Sequence, residues 1–273
     1  MPKREFESTK THLRNTMEKQ AGSIQKAYLE SLMNSSDAGA TTYNLNLHSG
    51  ESHIKDDGKG MLEEEIDTYF AQFGYDDEDQ DQKTFGKFRM GRGQMFNFGV
   101  NVWHTNEHVL IVNIKEARTK LPNFFGATED QDDVISADED EVVLDSSGLG
   151  FHHFTTDNEV DGCEVTIYHY NELEDVSETV SEFKRLARYI PFAHGIEVKI
   201  NGETLDPDFE ASVETEAAWY YINPDEYSKS VDIYKQGAYV KDEVINCSSG
   251  VISTKDDVDV NFARNDIIGG CPV

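Results

Sequence analysis

The chain has 273 residues, and 53 acidic residues against 24 lysines and arginines give it a formal charge of −29. A field of one sign this strong repels phosphate backbones. It excludes a general nucleic-acid binder unless a local basic patch or parts outside this chain make the contact. Hydrophobic residues make up 37% and aromatic residues 11%, which is enough apolar material for a folded core. At roughly 100–200 residues per domain, the length predicts one large domain or one and a half.

The three cysteines, Cys163, Cys247 and Cys271, are odd in number and unclustered. Their spacing predicts neither a disulfide framework nor a CxxC metal site, so we expect a reducing, cytoplasmic setting. No run approaches the roughly 20 apolar residues that span a bilayer, and no apolar stretch follows the charged N-terminus. The sequence thus predicts a protein that is neither exported nor embedded in a membrane.

Hydrophobic periodicity predicts helices and strands in alternation along the first half of the chain. Glycine turns are expected to interrupt them, and a break near Gly22 divides the first helical region. The predicted elements are helices over 8–36, strands over 42–48 and 52–55, helices over 62–72 and 94–98, and a strand over 109–114. Residues 126–145 hold nine acidic side chains and few apolar ones, which favours a mobile, solvated insertion.

The second half begins with a strand over 164–169, a helix over 176–189 and a strand over 196–200. Beyond residue 206 the pattern changes to short strands with turn signals, over 230–234, 238–240, 251–253 and 258–262. We therefore expect an α+β fold in which one mixed, mostly antiparallel sheet carries helices on one face. The predicted domains are 1–205 and a partial, strand-rich domain over 206–273.

The first candidate site motif closes the first helical region. Glu30 and Asn34 are four residues apart and so share a helical face, with Asp37-Ala38 one turn further on. A carboxylate and an amide aimed at one place suit a water-activating base beside a hard cation. A solvent-facing helix end, with Asn and Ser as caps, explains the same residues without a site.

The second motif, Asp56 to Met61, reads DDGKGM and directly follows a predicted strand. Gly58 and Gly60 allow the backbone to approach a flat ligand, and a buried Asp56 carboxylate accepts a hydrogen bond from an exocyclic amine. A plain turn is the competing interpretation. An EF-hand loop is excluded because the required Glu is missing.

The third motif is a basic glycine loop over 83–94 in an otherwise acidic chain. Its basic residues are Lys83, Lys87, Arg89 and Arg92, and its glycines are Gly86, Gly91 and Gly93, followed by Gln94. Backbone N–H groups in such a loop, running into a helix, form a cradle for anions such as phosphate. The loop is not a P-loop, because no Gly-Lys-Ser or Gly-Lys-Thr closes it.

In this order the three motifs resemble the N, G1 and G2 boxes of the GHKL superfamily of gyrase, HtpG-type heat-shock chaperones, histidine kinases and MutL. The first box is most similar to the chaperone form Glu-x-x-x-Asn-x-x-Asp-Ala. The resemblance extends over about residues 9–205 and implies a Bergerat-type α/β sandwich that binds ATP and Mg²⁺. It further implies an ATPase that closes a lid and dimerises, with a protein client or partner that the sequence does not identify.

Carried onto this sequence, the resemblance implies that Glu30 orients the attacking water and Asn34 holds Mg²⁺. Asp56 would bind the adenine amino group. The implied nucleotide-binding residues are Asn34, Asp37, Ala38, Asp56, Gly58, Gly60, Met61, Arg89, Gly91, Arg92, Gly93, Gln94 and Thr166. Two departures stand out: the glycine loop is longer than usual, and Gly162-Cys163 replaces the expected Gly-Thr, with a thiol that hydrogen-bonds poorly.

Further along, residues 249–265 are similar to the chaperone middle-domain segment whose arginine reaches the γ-phosphate. Arg264 is therefore a candidate catalytic sensor, since a guanidinium clasps two phosphate oxygens. A surface arginine at a strand end is the plainer interpretation.

Two other functions stay open at this point. A histidine-kinase-type phosphotransferase is disfavoured because Glu30 suits water activation and no phosphoacceptor helix is evident. A non-enzymatic acidic module, such as a DNA mimic acting through 76–81 and 129–145, would bind basic partners in a salt-sensitive manner.

Overall fold

The computed structural model describes residues 22–71, 91–206, 211–223, 230–244, 249–255 and 266–267. Three sheets and the helices packed on them make up this part of the chain. The helices are α1 (Ile24–Asp37), α2 (Glu63–Glu65, continued by a π-helical turn Ile66–Phe70), α3 (Gly91–Met95), α4 (Val176–Ala187) and α5 (Ile190–His194). No helix among these residues is long and apolar enough to cross a membrane.

The largest sheet has six strands in the order β3-β7-β2-β1-β8-β9. Its strands are β1 (Thr42–Leu47), β2 (Glu51–Asp56), β3 (Gly99–Val112), β7 (His152–His169), β8 (Glu197–Ile200) and β9 (Glu203–Thr204). All neighbours are antiparallel except β1 and β8, which are parallel. The sheet is mixed and mostly antiparallel, as the sequence predicted.

The helices cover one face of this sheet. On β1 and β2 alternate residues point towards them, which the two-residue period of a strand requires. The central side chains of the resulting core include Tyr28, Leu32, Tyr43, Leu45 and Phe183, all fully buried. Asp56 ends β2 on this core-facing side, only 7% exposed, so a carboxylate is buried at the end of an apolar row.

The helix α1 begins where Gly22 interrupts the chain, with a positive φ of 57°. Ser23 is its N-cap and accepts a hydrogen bond from the Lys26 N–H. The predicted break near Gly22 is thus a helix start. The part of the predicted helix over 8–21 lies outside the described residues.

The expectation of a mobile loop over 126–145 was wrong. This segment forms β5 (Val134–Ala137) and β6 (Glu141–Asp145), which pair with β4 (Arg118–Pro122) in a three-stranded sheet. Val142 and Leu144 are fully buried against apolar residues of β3 and β7, on the face opposite the helices. The acidic residues Glu141 and Asp145 stand at the two ends of β6, and the count of acidic residues over the whole segment gave no sign of the apolar stretch between them.

The last sheet has the order β10-β11-β14-β12-β13. Its strands are β10 (Val213–Glu214), β11 (Ala218–Asn223), β12 (Ser230–Lys235), β13 (Ala238–Val244) and β14 (Ser249–Thr254). It packs on α4 and α5: the Tyr234 hydroxyl donates to the Arg185 carbonyl at 3.1 Å, and Phe192 contacts the Trp219 ring. The strand predicted over 258–262 lies outside the described residues.

Candidate nucleotide site

A hydrogen bond between buried side chains joins the first two sequence motifs. The Ser35 hydroxyl, on the last turn of α1, donates to Oδ2 of Asp56 at 2.7 Å. The Lys59 N–H donates to the Ala38 carbonyl at 3.1 Å, so the loop after β2 is also tied to the end of α1 through its backbone. A Cβ on Gly58 would stand 3.0 Å from both Ala38 Cβ and Asp56 Oδ1. Glycine therefore permits the close approach of loop and helix at this point.

The Asp56 carboxyl is a buried acid with few but well-aligned donors. Burial raises its pKa, because removal from water disfavours the charged form. The bond from Ser35 and the Gly58 N–H, which donates to Oδ1 at 2.9 Å, act in the opposite direction. Backbone donation from Cys163 also lowers the pKa, whereas the neighbouring Asp57 raises it. Such a carboxylate is set up to accept one further hydrogen bond from a ligand.

The adjacent Asp57 has a different role. It is exposed, and its Oδ1 accepts from the N–H groups of Thr41 and Thr42, both at 2.7 Å. Burial raises the pKa of this carboxyl, but the hydrogen bonds from Thr41 and Thr42 outweigh it and the net direction is down. Asp57 fixes the loop to the start of β1, and Asp56 is left as the inward acid.

Two consecutive residues of β3 hold the far end of the glycine loop. The Thr105 hydroxyl accepts from the Met61 N–H at 2.8 Å, and the Asn106 amide donates to the Met61 carbonyl at 2.9 Å. Gly60 has a positive φ of 65°, a backbone conformation that L side chains rarely adopt. Sequence reasoning assigned no role to Thr105 or Asn106, because side chains on a distant strand give no local signal in the loop.

The residues predicted to face phosphate and metal follow one another along the last turns of α1. Glu30 is 6% exposed, Asn34 is half-buried and one turn further on, and Asp37 at the helix end is exposed. The short helix α3 packs against α1. The described end of the third motif, Gly91 to Gln94, is thereby brought to the helix that carries Glu30 and Asn34.

The helix predicted over 94–98 instead runs from Gly91 to Met95. Gly93 is buried within it, and the Asn97 amide donates to the Gly93 carbonyl at 3.0 Å. The Oε1 atom of Gln94 is buried without a hydrogen-bond partner in the described part of the chain. Of Arg92 only the backbone is described, and Arg89, with the basic loop before it, lies outside the described residues.

The structure does not bring Thr166 to Asp56. Thr166 pairs with His53 across β7 and β2, and its hydroxyl lies 3.1 Å from Nδ1 of that histidine. Because side chains alternate between faces, His53 and Thr166 lie on the opposite side of the sheet from the Asp56 carboxylate. The residue directly across from Asp56 is Cys163, whose thiol is buried and has a raised pKa for that reason. Arg264 lies outside the described residues.

Two side chains of α1 carry oxygen atoms of the kind that a magnesium nucleotide accepts from a protein. Asn34 has an amide oxygen, and Glu30, one helical turn before it, has a carboxylate. Mg²⁺ commonly takes one or two protein oxygens and completes its shell with waters and substrate phosphates. Among the described residues, no group of three or more His, Cys, Asp or Glu side chains is arranged to hold a metal ion.

Comparison with known proteins agrees with this geometry. The ATPase region of Saccharomyces cerevisiae topoisomerase II has a similar structure, with a TM-score of 0.57 and 10% identity over 89% of this chain and 76% of that one. The same region bound to ICRF-187 (dexrazoxane) gives a TM-score of 0.55 and 11% identity over 89% and 77% of the two chains. At this identity the likeness shows the fold alone.

No curated protein matches the sequence. Residues 22–116 match the family of histidine kinase-, DNA gyrase B- and HSP90-like ATPases. That segment holds α1, the glycine loop, α3 and the β3 residues that support the loop. The resemblance of the motifs to the GHKL superfamily is confirmed over residues 22–116, which match this family.

Proposed function

We propose that this protein binds ATP with Mg²⁺ and hydrolyses it. The observation that carries the proposal is the buried Asp56 carboxylate, held by Ser35 of α1 and by the Gly58 N–H at the mouth of a glycine loop. An acid in such a place costs folding free energy, because burial opposes its ionisation. A ligand that donates a hydrogen bond to it offsets that cost.

The ligand group that suits Asp56 is the exocyclic amine of adenine. Amines donate and ionised carboxylates only accept, so the pair is complementary, whereas the carbonyl of guanine would face the carboxylate acceptor to acceptor. Gly58, Gly60 and Met61 offer backbone and a thioether side chain to the flat face of the base. Ala38, packed on Gly58, closes the same side.

The phosphates belong on the α1 and α3 side of the loop. Gly91, Gly93 and Gln94 at α3 would cradle them through backbone N–H groups and the Gln94 amide, and Arg89 and Arg92 would add positive charge. Asn34 would hold Mg²⁺, with Asp37 nearby at the helix end. When bound, the metal supplies Lewis-acid stabilisation of charge on the phosphoryl oxygens.

Hydrolysis needs a base that orients water, and Glu30 is the residue in position on α1. Its burial keeps the carboxylate away from bulk water. Arg264 is the candidate for a second group on the γ-phosphate, placed by a partial transducer-like domain over 206–273 that follows an ATP-binding domain over 1–205. Binding to the closed state would favour lid closure and dimerisation through differential affinity.

The biological process that this ATPase would serve differs between the members of the superfamily. The Glu-x-x-x-Asn-x-x-Asp-Ala form of the first motif supports an HtpG-like, chaperone-type cycle. In such a cycle the partner is a second copy of the chain together with a protein client, in the cytoplasm.

Two measurements test the proposal. Millimolar Mg-ATP should raise the unfolding midpoint, because a ligand that binds only the native state stabilises it. Glu30→Gln should then retain the shift and lose phosphate release, which separates binding from chemistry. Absence of any shift would favour the acidic interaction module, and transfer of labelled phosphate to the protein would favour a kinase.

A further inference from the structure

The strand β3 is interrupted at the point where it passes the glycine loop. Its pairing with β7 shifts register between Thr105 and Asn106 and again between Asn106 and His108. Asn106 has a φ of 50°, in the left-handed region that Asn tolerates better than most residues. A bulge of this kind redirects side chains that a regular strand would send elsewhere.

The side chains of Thr105 and Asn106 form hydrogen bonds with both backbone groups of Met61. Thr105 Oγ1 accepts from the Met61 N–H at 2.8 Å and donates to the Gly162 carbonyl at 3.1 Å. Asn106 Nδ2 donates to the Met61 carbonyl at 2.9 Å. Both backbone groups of Met61 are therefore bound by consecutive residues of β3. Thr105 is fully buried, so its hydroxyl is fixed by these two bonds.

The same two side chains shape the space over Gly60. A Cβ on Gly60 would lie 2.8 Å from Thr105 Oγ1 and 3.0 Å from Asn106 Oδ1. The loop backbone thus rests directly on the bulge, while its other end is attached to Asp56 and Ala38. The position of the loop relative to Asp56 is determined at both ends.

We propose that Thr105 and Asn106 are positioning residues that hold the 56–61 loop against the base and thereby set the preference of the site for a 6-amino purine. The inference rests on the proposed function, since it assumes that adenine meets Asp56. Discrimination between an amino and an oxo group requires the base to be held in one register against the carboxylate. A loop released at Met61 would allow the base to shift, so that adenine loses its alignment with the carboxylate and its advantage over guanine.

The test compares dissociation constants for Mg-ATP, Mg-GTP and inorganic tripolyphosphate. Asn106→Gly removes the amide while glycine keeps the positive φ without strain. Thr105→Val removes the hydroxyl at nearly constant shape, and Thr105→Ser restores it. Asn201→Gly is the matched control, because Asn201 also has a φ of 50° and its Oδ1 accepts from the Leu47 N–H at 2.7 Å, at the β8–β9 turn.

We expect Asn106→Gly and Thr105→Val to lose about five- to tenfold in ATP affinity, the effect of one hydrogen bond, with little change for GTP. Tripolyphosphate binding should stay at the parent value, because the phosphate side is not held by these residues. Thr105→Ser should recover most of the preference, and Asn201→Gly should keep all of it even if its unfolding midpoint falls.

A folded Asn106→Gly variant with the parent ratio of ATP to GTP affinity would overturn the positioning role alone. An equal loss of the preference for ATP in Asn201→Gly would also overturn the positioning role, because it would show that reduced stability alone causes the loss. A parent that binds ATP and GTP equally would remove the adenine assignment of Asp56 and this inference with it. A parent that binds no ATP would overturn the proposed function itself.

Discussion

The bond between Ser35 and Asp56 gives a prediction that does not depend on any ligand. Ser35→Ala removes a donor that lies 2.7 Å from a carboxylate oxygen, with both residues less than 10% exposed. Hydrogen bonds to charged groups contribute about 1.5–3 kcal/mol, against about 0.5–1.5 kcal/mol for neutral pairs. In the pH range where the Asp56 carboxyl is ionised, we therefore expect Ser35→Ala to lower the free energy of unfolding by about 1.5–3 kcal/mol.

The loss should depend on pH in a defined direction. Burial raises the Asp56 pKa, so its ionised form is a cost to folding above that pKa and the cost disappears as the pH falls through it. Without Ser35 the cost above the pKa is larger. The difference in stability between the parent and Ser35→Ala should thus be greatest above the pKa of Asp56 and shrink as the pH falls and the carboxyl takes up its proton.

Urea unfolding at a series of pH values measures this difference, and Ser31→Ala is the control. Ser31 lies one turn earlier on α1, is 5% exposed against 4% for Ser35, and contacts the Tyr43 hydroxyl at 3.1 Å. That neutral pair should contribute about 0.5–1.5 kcal/mol with no dependence on acid pH. If Ser35→Ala cost no more than Ser31→Ala and the two showed the same pH profile, the bond to an ionised Asp56 would be refuted.

Three further predictions follow from the contacts around the site. Burial lowers the pKa of His169, and the opposing effects of Ser49 and Glu51 are weaker, so the unfolded chain binds the proton more readily than the folded chain. The free energy of unfolding should therefore fall as the pH drops below about 6.5, the usual histidine value. In His169→Gln, unfolding curves should show a smaller dependence on pH in this range. Gly162→Ala should destabilise strongly, because its Cβ would stand 2.2 Å from the Asp56 carbonyl oxygen at a φ of 79°. Gly126→Ala, with a φ of 69° and no atom within 4 Å, should show by thermal unfolding only the smaller cost of backbone strain, about 1 kcal/mol. Equal losses in the two alanine variants would contradict the close-approach argument.

The sequence predicted β1, β2 and β8 of the large sheet because their residues alternate clearly, whereas it predicted only the last part of β3 and of β7. In β1 the residues Tyr43, Leu45 and Leu47 alternate with polar ones, and the structure buries all three. The sequence did not predict the three-stranded sheet because acidic residues dominate the segment 126–145, and the buried Val142 and Leu144 are only two positions of β6. The charge of this segment reflects its solvent-exposed residues and gives no information on the buried ones.

The candidate site was predictable where it is local in sequence. Asp56, Gly58 and Gly60 lie within one turn, and the structure confirms that this turn meets the end of α1 at Ala38. Contacts between distant segments could not be anticipated in this way. The hydrogen bond between the Thr105 hydroxyl and the Met61 N–H joins residues 44 positions apart, and it lies beside a register shift in β3.

Thr166 was assigned to the wrong face because strand parity fixes the side of every residue once Cys163 is opposite Asp56. Thr166 is three residues after Cys163 on β7, and an odd number of residues along a strand places a side chain on the opposite face of the sheet. With the register that the structure shows, the residue of β7 on the same face as Asp56 and directly opposite it is Cys163.

The central claim is that adenine is recognised by Asp56 and not by its neighbour. Isothermal titration of Mg-ATP into Asp56→Asn and Asp57→Asn tests it most directly, since the two side chains are adjacent but lie on different sides of the loop. The account predicts that Asp56→Asn loses ATP binding by at least about tenfold, the effect of roughly 1.4 kcal/mol, while Asp57→Asn binds like the parent. ATP bound as tightly by Asp56→Asn as by the parent would contradict it.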